Sequence, residues 1–143
     1  MGKYAYEGRT EQRKAALKRQ WDANLLREAH HWRGAMYMLG YAIECKLKAK
    51  LMEKYGVHTL TQLEDELSRR DGNKIKLGIH SLPKLFELTK ADHRLDSEQR
   101  RRFSVCGSWD HNWRYDPSDG NETECDDFFG ATGWFLEFVK GSV

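Results

Sequence analysis

Between His31 and Leu51, Met36, Leu39, Ile43, Leu47 and Leu51 recur at steps of three and four, the spacing that lays apolar side chains along one face of an α-helix. Tyr37, Tyr41, Glu44 and Lys48 recur at the same steps on a neighbouring face, which gives a polar stripe on the flank of the apolar one. The segment is long enough for about five or six turns. It predicts a core helix that buries one stripe and presents Tyr, Glu and Lys beside it. The pattern continues to about Lys54, and Tyr55-Gly56 supplies the stop, with glycine in the left-handed cap position.

The same reading extends to both sides. Arg9 to Ala29 predicts a first helix with Ala16, Leu17, Trp21, Leu25 and Leu26 on one side, and a break near His30 to Gly34 separates it from the long helix. Thr61 followed by Glu64 predicts a capping box and a short helix that fades at Arg70, before the turn signal Asp71-Gly72-Asn73. Lys74 to Ile79 reads as a linker. Ser81 then caps a helix with Pro83 in its first turn and a buried side of Leu82, Leu85, Phe86 and Leu88. Asp96 with Gln99 predicts a further capped start running towards Trp109. Pro117 to Gly120 is a loop, and Asn121 with Glu124 opens a last, aromatic helix carrying Phe128, Phe129, Trp134, Phe135, Leu136 and Phe138. No segment alternates in the way a strand requires. The expectation is an all-α fold: an antiparallel helical bundle of about five or six helices in one domain spanning residues 1–143.

Composition narrows the setting. At 143 residues with 39% hydrophobic and 32% charged positions, the chain can bury a real core and keep solvated helix faces. No apolar run reaches the ~18–20 residues of a membrane span, and Met1 to Arg19 is charged throughout, unlike a signal peptide. A cytoplasmic protein with no membrane association is expected. Cys45, Cys106 and Cys125 are widely spaced with no close pair, so reduced thiols are expected rather than a metal site. No cofactor is indicated. The net charge of +2 hides a polarity: residues 1–55 hold twelve Lys or Arg against six Asp or Glu, and residues 103–143 hold two against eight. Such ends can attract each other, or the basic part can attract a polyanion such as RNA.

The segment Tyr37-Met38-Leu39-Gly40-Tyr41-Ala42-Ile43-Glu44-Cys45-Lys46-Leu47-Lys48-Ala49 resembles the long helix of HEPN domains, with their Tyr-Leu-x-Gly-Tyr-x-x-Glu-x-x-Leu-Lys-Ala pattern. His80-Ser81-Leu82-Pro83-Lys84-Leu85 is similar to that family's His-x-Leu-x-x-Leu helix opening, and Trp113-Arg114-Tyr115 to its Arg-Tyr element. The three stand in the family's order. The resemblance implies an antiparallel helical bundle, commonly a homodimer. It also implies a role in defence or toxin–antitoxin systems, beside a nucleotidyltransferase or an antitoxin partner protein. Many such proteins are metal-independent endoribonucleases that use Arg, a spacer of four to six residues, then His, paired across the dimer. This chain has no such pair: Arg102 and His111 are too far apart, and Arg27 is too close to His30 and His31.

The residues themselves leave two readings open. In Trp109-Asp110-His111-Asn112-Trp113-Arg114-Tyr115, a helical turn would bring His111 and Arg114 to one face. Histidine moves protons near neutral pH and arginine grips a phosphate with two parallel hydrogen bonds. These two, with Tyr115 or Lys48, are the candidate catalytic residues of an endoribonuclease. Alternatively, Arg114 reaches Glu44, with Tyr37 or Tyr41 completing the bonds, and the module acts by binding RNA, a partner or itself through Tyr37, Tyr41, Glu44, Lys48, Arg114 and Tyr115. His80 reads as a capping or packing residue, and Trp109 and Trp113 as a packed pair.

Overall fold

The computed structural model describes residues 4–78 and 80–143. Residues 1–3 of the charged N-terminus and residue 79, the end of the predicted linker, lie outside the described residues. Among the described residues the secondary structure is helical: α1 Arg9–Glu28, α2 Trp32–Tyr55, α3 Leu60–Asp71, α4 Leu82–Leu88, α5 Ser97–Gly107 and α6 Glu122–Ser142, with short 3₁₀ turns at Asp92–Arg94 and His111–Tyr115. One isolated bridge joins Gly8 to Thr59. The chain is an all-α helical bundle, as the periodicity predicts.

The long helix α2 is the central rod. Met36, Leu39, Ile43, Leu47 and Leu51 are all buried and join a core contributed also by α3, α4, α5 and α6, with Leu63, Leu85, Phe86, Cys106, Phe128 and Phe135 among its members. Gly56 ends α2 in the left-handed conformation, and its neighbour's amide, Val57 N–H, donates to Met52 O at 3.0 Å. The predicted break before α2 is a tight reversal without glycine. His30 takes a positive φ of 64°, while the His30 and His31 amides donate to Arg27 O and Leu26 O.

Three expectations need correction. Helix α1 packs back along α2 through small residues, Ala16 and Ala23, so Leu17, Trp21 and Leu25 point to solvent at 69%, 69% and 53% exposure. Only Ala16 and the half-buried Leu26 of the predicted side face inward. Helix α3 starts earlier than Thr61: Thr59 is its N-cap, accepting from Gln62 N–H at 3.1 Å. Thr61 and Glu64 serve the tertiary structure instead. Thr61 donates through its amide and hydroxyl to the Glu7 carboxylate; Glu64, buried, accepts from the Leu77 amide at 2.9 Å and from the Tyr4 hydroxyl. The linker is therefore pinned, with Leu77 in the core and Ile75 N–H donating to Ser68 at 2.8 Å. Helix α5 also stops at Gly107, short of Trp109.

The charge polarity of the sequence is used within the chain. Arg27 pairs with Asp126 at 2.8 Å and lies over the Phe129 ring. Arg33 pairs with Glu124 at 3.1 Å and Asp116 at 3.2 Å and lies over Trp113. The basic start of the chain thus clamps the acidic helix α6. No helix among the described residues is long and apolar enough to cross a membrane.

Candidate functional site

The polar flank of α2 carries a cluster of side chains in mutual contact. Glu44 is buried at 3% exposure, a position where a carboxylate needs partners. It has two, on opposite oxygens: His80 Nδ1–H donates to Oε1 at 2.7 Å, and Lys48 Nζ stands 3.4 Å from Oε2. Lys48, one helical turn along, is itself buried. An ionised carboxylate can only accept, so it fixes the proton of a neutral His80 on Nδ1 and leaves Nε2 as the free nitrogen.

His80 stands one residue before Ser81, which caps α4 by accepting from Lys84 N–H at 3.3 Å. The cap belongs to Ser81, and the imidazole turns inward. It meets Tyr41 edge-to-face at 5.8 Å and His111 at 5.2 Å between ring centres. His111 opens the second 3₁₀ turn, whose N-cap Asp110 accepts from Asn112 N–H and stands 3.8 Å from His111 Nδ1. In a 3₁₀ turn residues three apart eclipse, so Arg114 follows His111 on one side of the turn. Arg114 is exposed, with its guanidinium over the Tyr115 ring at 4.8 Å. Hydrogen bonding and charge interaction with the Tyr115 phenol, and a further hydrogen bond with Tyr37, raise its pKa above the ordinary value.

Tyr37 and Tyr41 stand beside these groups and pack edge-to-face at 5.0 Å. Burial, then the Tyr37 hydroxyl, then the Glu44 charge hold the Tyr41 phenol strongly above its ordinary pKa, so it stays neutral. Behind them Trp109 locks the 3₁₀ turn to α2. Its indole N–H donates to Tyr37 O at 3.0 Å and its ring packs on Tyr41. This approach requires glycine at position 40, because a Cβ there would overlap the indole.

The structure thus gathers Tyr37, Tyr41, Glu44, Lys48, His111 and Arg114 into one cluster around His80, with Tyr115 at its edge. Glu44 pairs with His80 and Lys48, whereas Arg114 is engaged with the two tyrosines. His80 is the residue that the capping interpretation overlooked; the signal was its place as the first residue of the His-x-Leu-x-x-Leu element. Trp109 and Trp113 pack on different helices, Trp109 against α2 and Trp113 against Phe128 of α6. All three cysteines are free thiols, and burial pushes Cys106 up to about 12.

The arrangement can hold an anion. It offers an exposed guanidinium, two neighbouring imidazoles and the exposed Tyr115 ring. Comparison with protein-family models, curated proteins and solved structures gives no match to this chain.

Proposed function

We propose that the chain is a HEPN-like helical module that binds RNA at the Glu44–His80–His111–Arg114 cluster. One observation carries this reading. The three segments that resemble HEPN elements, far apart in sequence, bring their polar side chains into a single cluster: Tyr37, Tyr41, Glu44 and Lys48 from α2, His80 before α4, and Arg114-Tyr115 after α5. The chemistry suits a phosphodiester flanked by bases. Arg114 offers a planar fork to phosphate oxygens, and Tyr115, 70% exposed and already stacked with that guanidinium, offers a face on which an unpaired base can stack. By the same resemblance, the module works in a defence or toxin–antitoxin system, with an antitoxin or a nucleotidyltransferase as its protein partner.

A second reading, metal-independent RNA cleavage, is favoured by the 5.2 Å approach of His80 and His111. With its Nδ1 proton held by Glu44, His80 Nε2 accepts the proton of a 2′-hydroxyl as that oxygen attacks phosphorus. His111 protonates the departing 5′-oxygen, and Arg114 carries the charge that builds on the phosphoryl oxygens. The products are a 2′,3′-cyclic phosphate and a free 5′-hydroxyl. This pair lies within one chain, unlike the Arg-spacer-His pair that the family resemblance implies across a dimer.

The test is incubation of the protein with end-labelled single-stranded RNA, with and without a chelator, over a salt series. Salt-sensitive binding that weakens in Arg114→Ala supports the module. Cleavage indifferent to chelator and lost in both His80→Ala and His111→Ala supports the enzyme. RNA affinity identical in wild type and Arg114→Ala overturns both.

A further inference from the structure

Helix α1 carries an apolar stripe that its own fold leaves uncovered. Leu17, Trp21 and Leu25 lie at steps of four on one face and are three of the six large hydrophobic side chains that stand exposed among the described residues. Around them lie Lys14, Lys18, Asn24 and Glu28, all exposed. Lys18 reaches Asp22 at 3.6 Å, whereas Lys14 and Glu28, at the two ends of the stripe, form no ion pair among the described residues.

The order of residues on this face is self-complementary. Turn a second α1 antiparallel about a two-fold axis at Trp21: Leu17 then faces Leu25 of the copy, Lys14 faces Glu28, Lys18 faces Asn24, and Trp21 meets itself. No like charges are opposed, and each end of the apolar strip closes with an opposite-charge pair. A surface that matches itself in this way is what an isologous contact requires, and exposed Trp and Leu rimmed by charge are typical of its centre. We infer that this chain forms a homodimer through α1, antiparallel and centred on Trp21.

The inference rests on α1 alone and is independent of the proposed RNA site. Helix α1 meets α2 along the flank that carries Ala42, Lys46, Ala49 and Lys50, where a groove runs between α1, α2 and α6. Tyr37, Tyr41, Glu44 and Lys48 occupy a different face of the same helix. The dimer therefore leaves each cluster complete within its own chain. Because a single helix face is a small contact, association in the micromolar range is expected.

Sedimentation velocity of the full chain over a concentration series tests the dimer, and cysteine cross-linking tests its register. Wild type should show a concentration-dependent dimer that Trp21→Glu weakens by roughly thirtyfold or more, as removal of a central aromatic anchor does. Trp21 is exposed, so the melting curve of the variant under monomeric conditions should match wild type. Lys14→Glu should weaken the dimer, and Lys14→Glu with Glu28→Lys should restore it. Under mild oxidation Trp21→Cys should cross-link to its own copy, whereas Leu17→Cys should cross-link to Leu25→Cys and not to itself. A monomer at every concentration overturns the inference and leaves the stripe to a different protein. A dimer indifferent to Trp21→Glu, or Leu17→Cys joining itself, overturns the assigned face or register.

Discussion

Glu44 and Glu64 are two carboxylates buried to the same degree, each 3% exposed on a helix of the bundle, yet they are used in opposite ways. Glu64 accepts from the Leu77 amide and the Tyr4 hydroxyl, and so pins two stretches of irregular chain against α3. Glu44 is gripped by an imidazole and an ammonium, and the imidazole faces a second histidine. Burial alone does not distinguish the two carboxylates. The groups they tie together do: Glu64 joins Tyr4 and Leu77 to α3 and so holds a shape, while Glu44 orients an imidazole within a cluster that also holds a second histidine, side chains of the kind that can carry chemistry.

The largest expected effect separates the two directly. Glu44→Ala leaves the buried Lys48 ammonium without its carboxylate and should cost about 3–5 kcal/mol. Adding Lys48→Met should recover most of that loss, because no uncompensated charge then remains. Glu64→Gln keeps an acceptor for Leu77 N–H and should cost only about 1 kcal/mol. Urea unfolding of the four proteins checks the ordering; equal losses in Glu44→Ala and Glu64→Gln would erase the distinction.

Gly40→Ala comes next. The new methyl overlaps the Trp109 indole, and relieving it should cost about 1–3 kcal/mol. It should also free the His111–Tyr115 turn from α2, so RNA affinity falls with the tryptophan emission shift. Unchanged emission would mean that Trp109 is not the lock.

A third carboxylate extends the structural side of the comparison. Glu7 is buried, which by itself raises its pKa, but hydrogen bonds from the Tyr4 and Thr61 amides and from the Thr61 and Thr59 side chains outweigh burial and lower it. A carboxyl whose folded pKa is depressed contributes stability above its unfolded pKa and loses it as pH falls through the folded value. Acid unfolding should therefore be shallower in Glu7→Gln than in wild type below about pH 4.5. Identical acid slopes would contradict this.

Periodicity made the central rod legible: the stripe Met36–Leu51 is buried and its flank of Tyr37, Tyr41, Glu44 and Lys48 forms one side of the polar cluster. It could not tell which of two faces α1 buries, because an exposed stripe of Leu17, Trp21 and Leu25 has the same period as a core stripe, while the true contact is made by alanines. Capping rules found Ser81, Asp96 and Asn121, each of which accepts from the amide three residues on. They failed at Thr61 and Glu64, whose side chains had long-range partners to serve. The pairing of His80 with Glu44, across 36 positions, is a product of tertiary folding that no local spacing encodes.

The most direct measurement of the central claim is a histidine side-chain NMR titration with a short single-stranded RNA. Binding at the cluster predicts that His80 and His111 shift together while His30, His31, His58 and His93 do not, and that Arg114→Ala, with its fold intact, abolishes the response. Shifts confined to the other histidines, or none in His80 and His111 at RNA concentrations that saturate binding, would contradict the account.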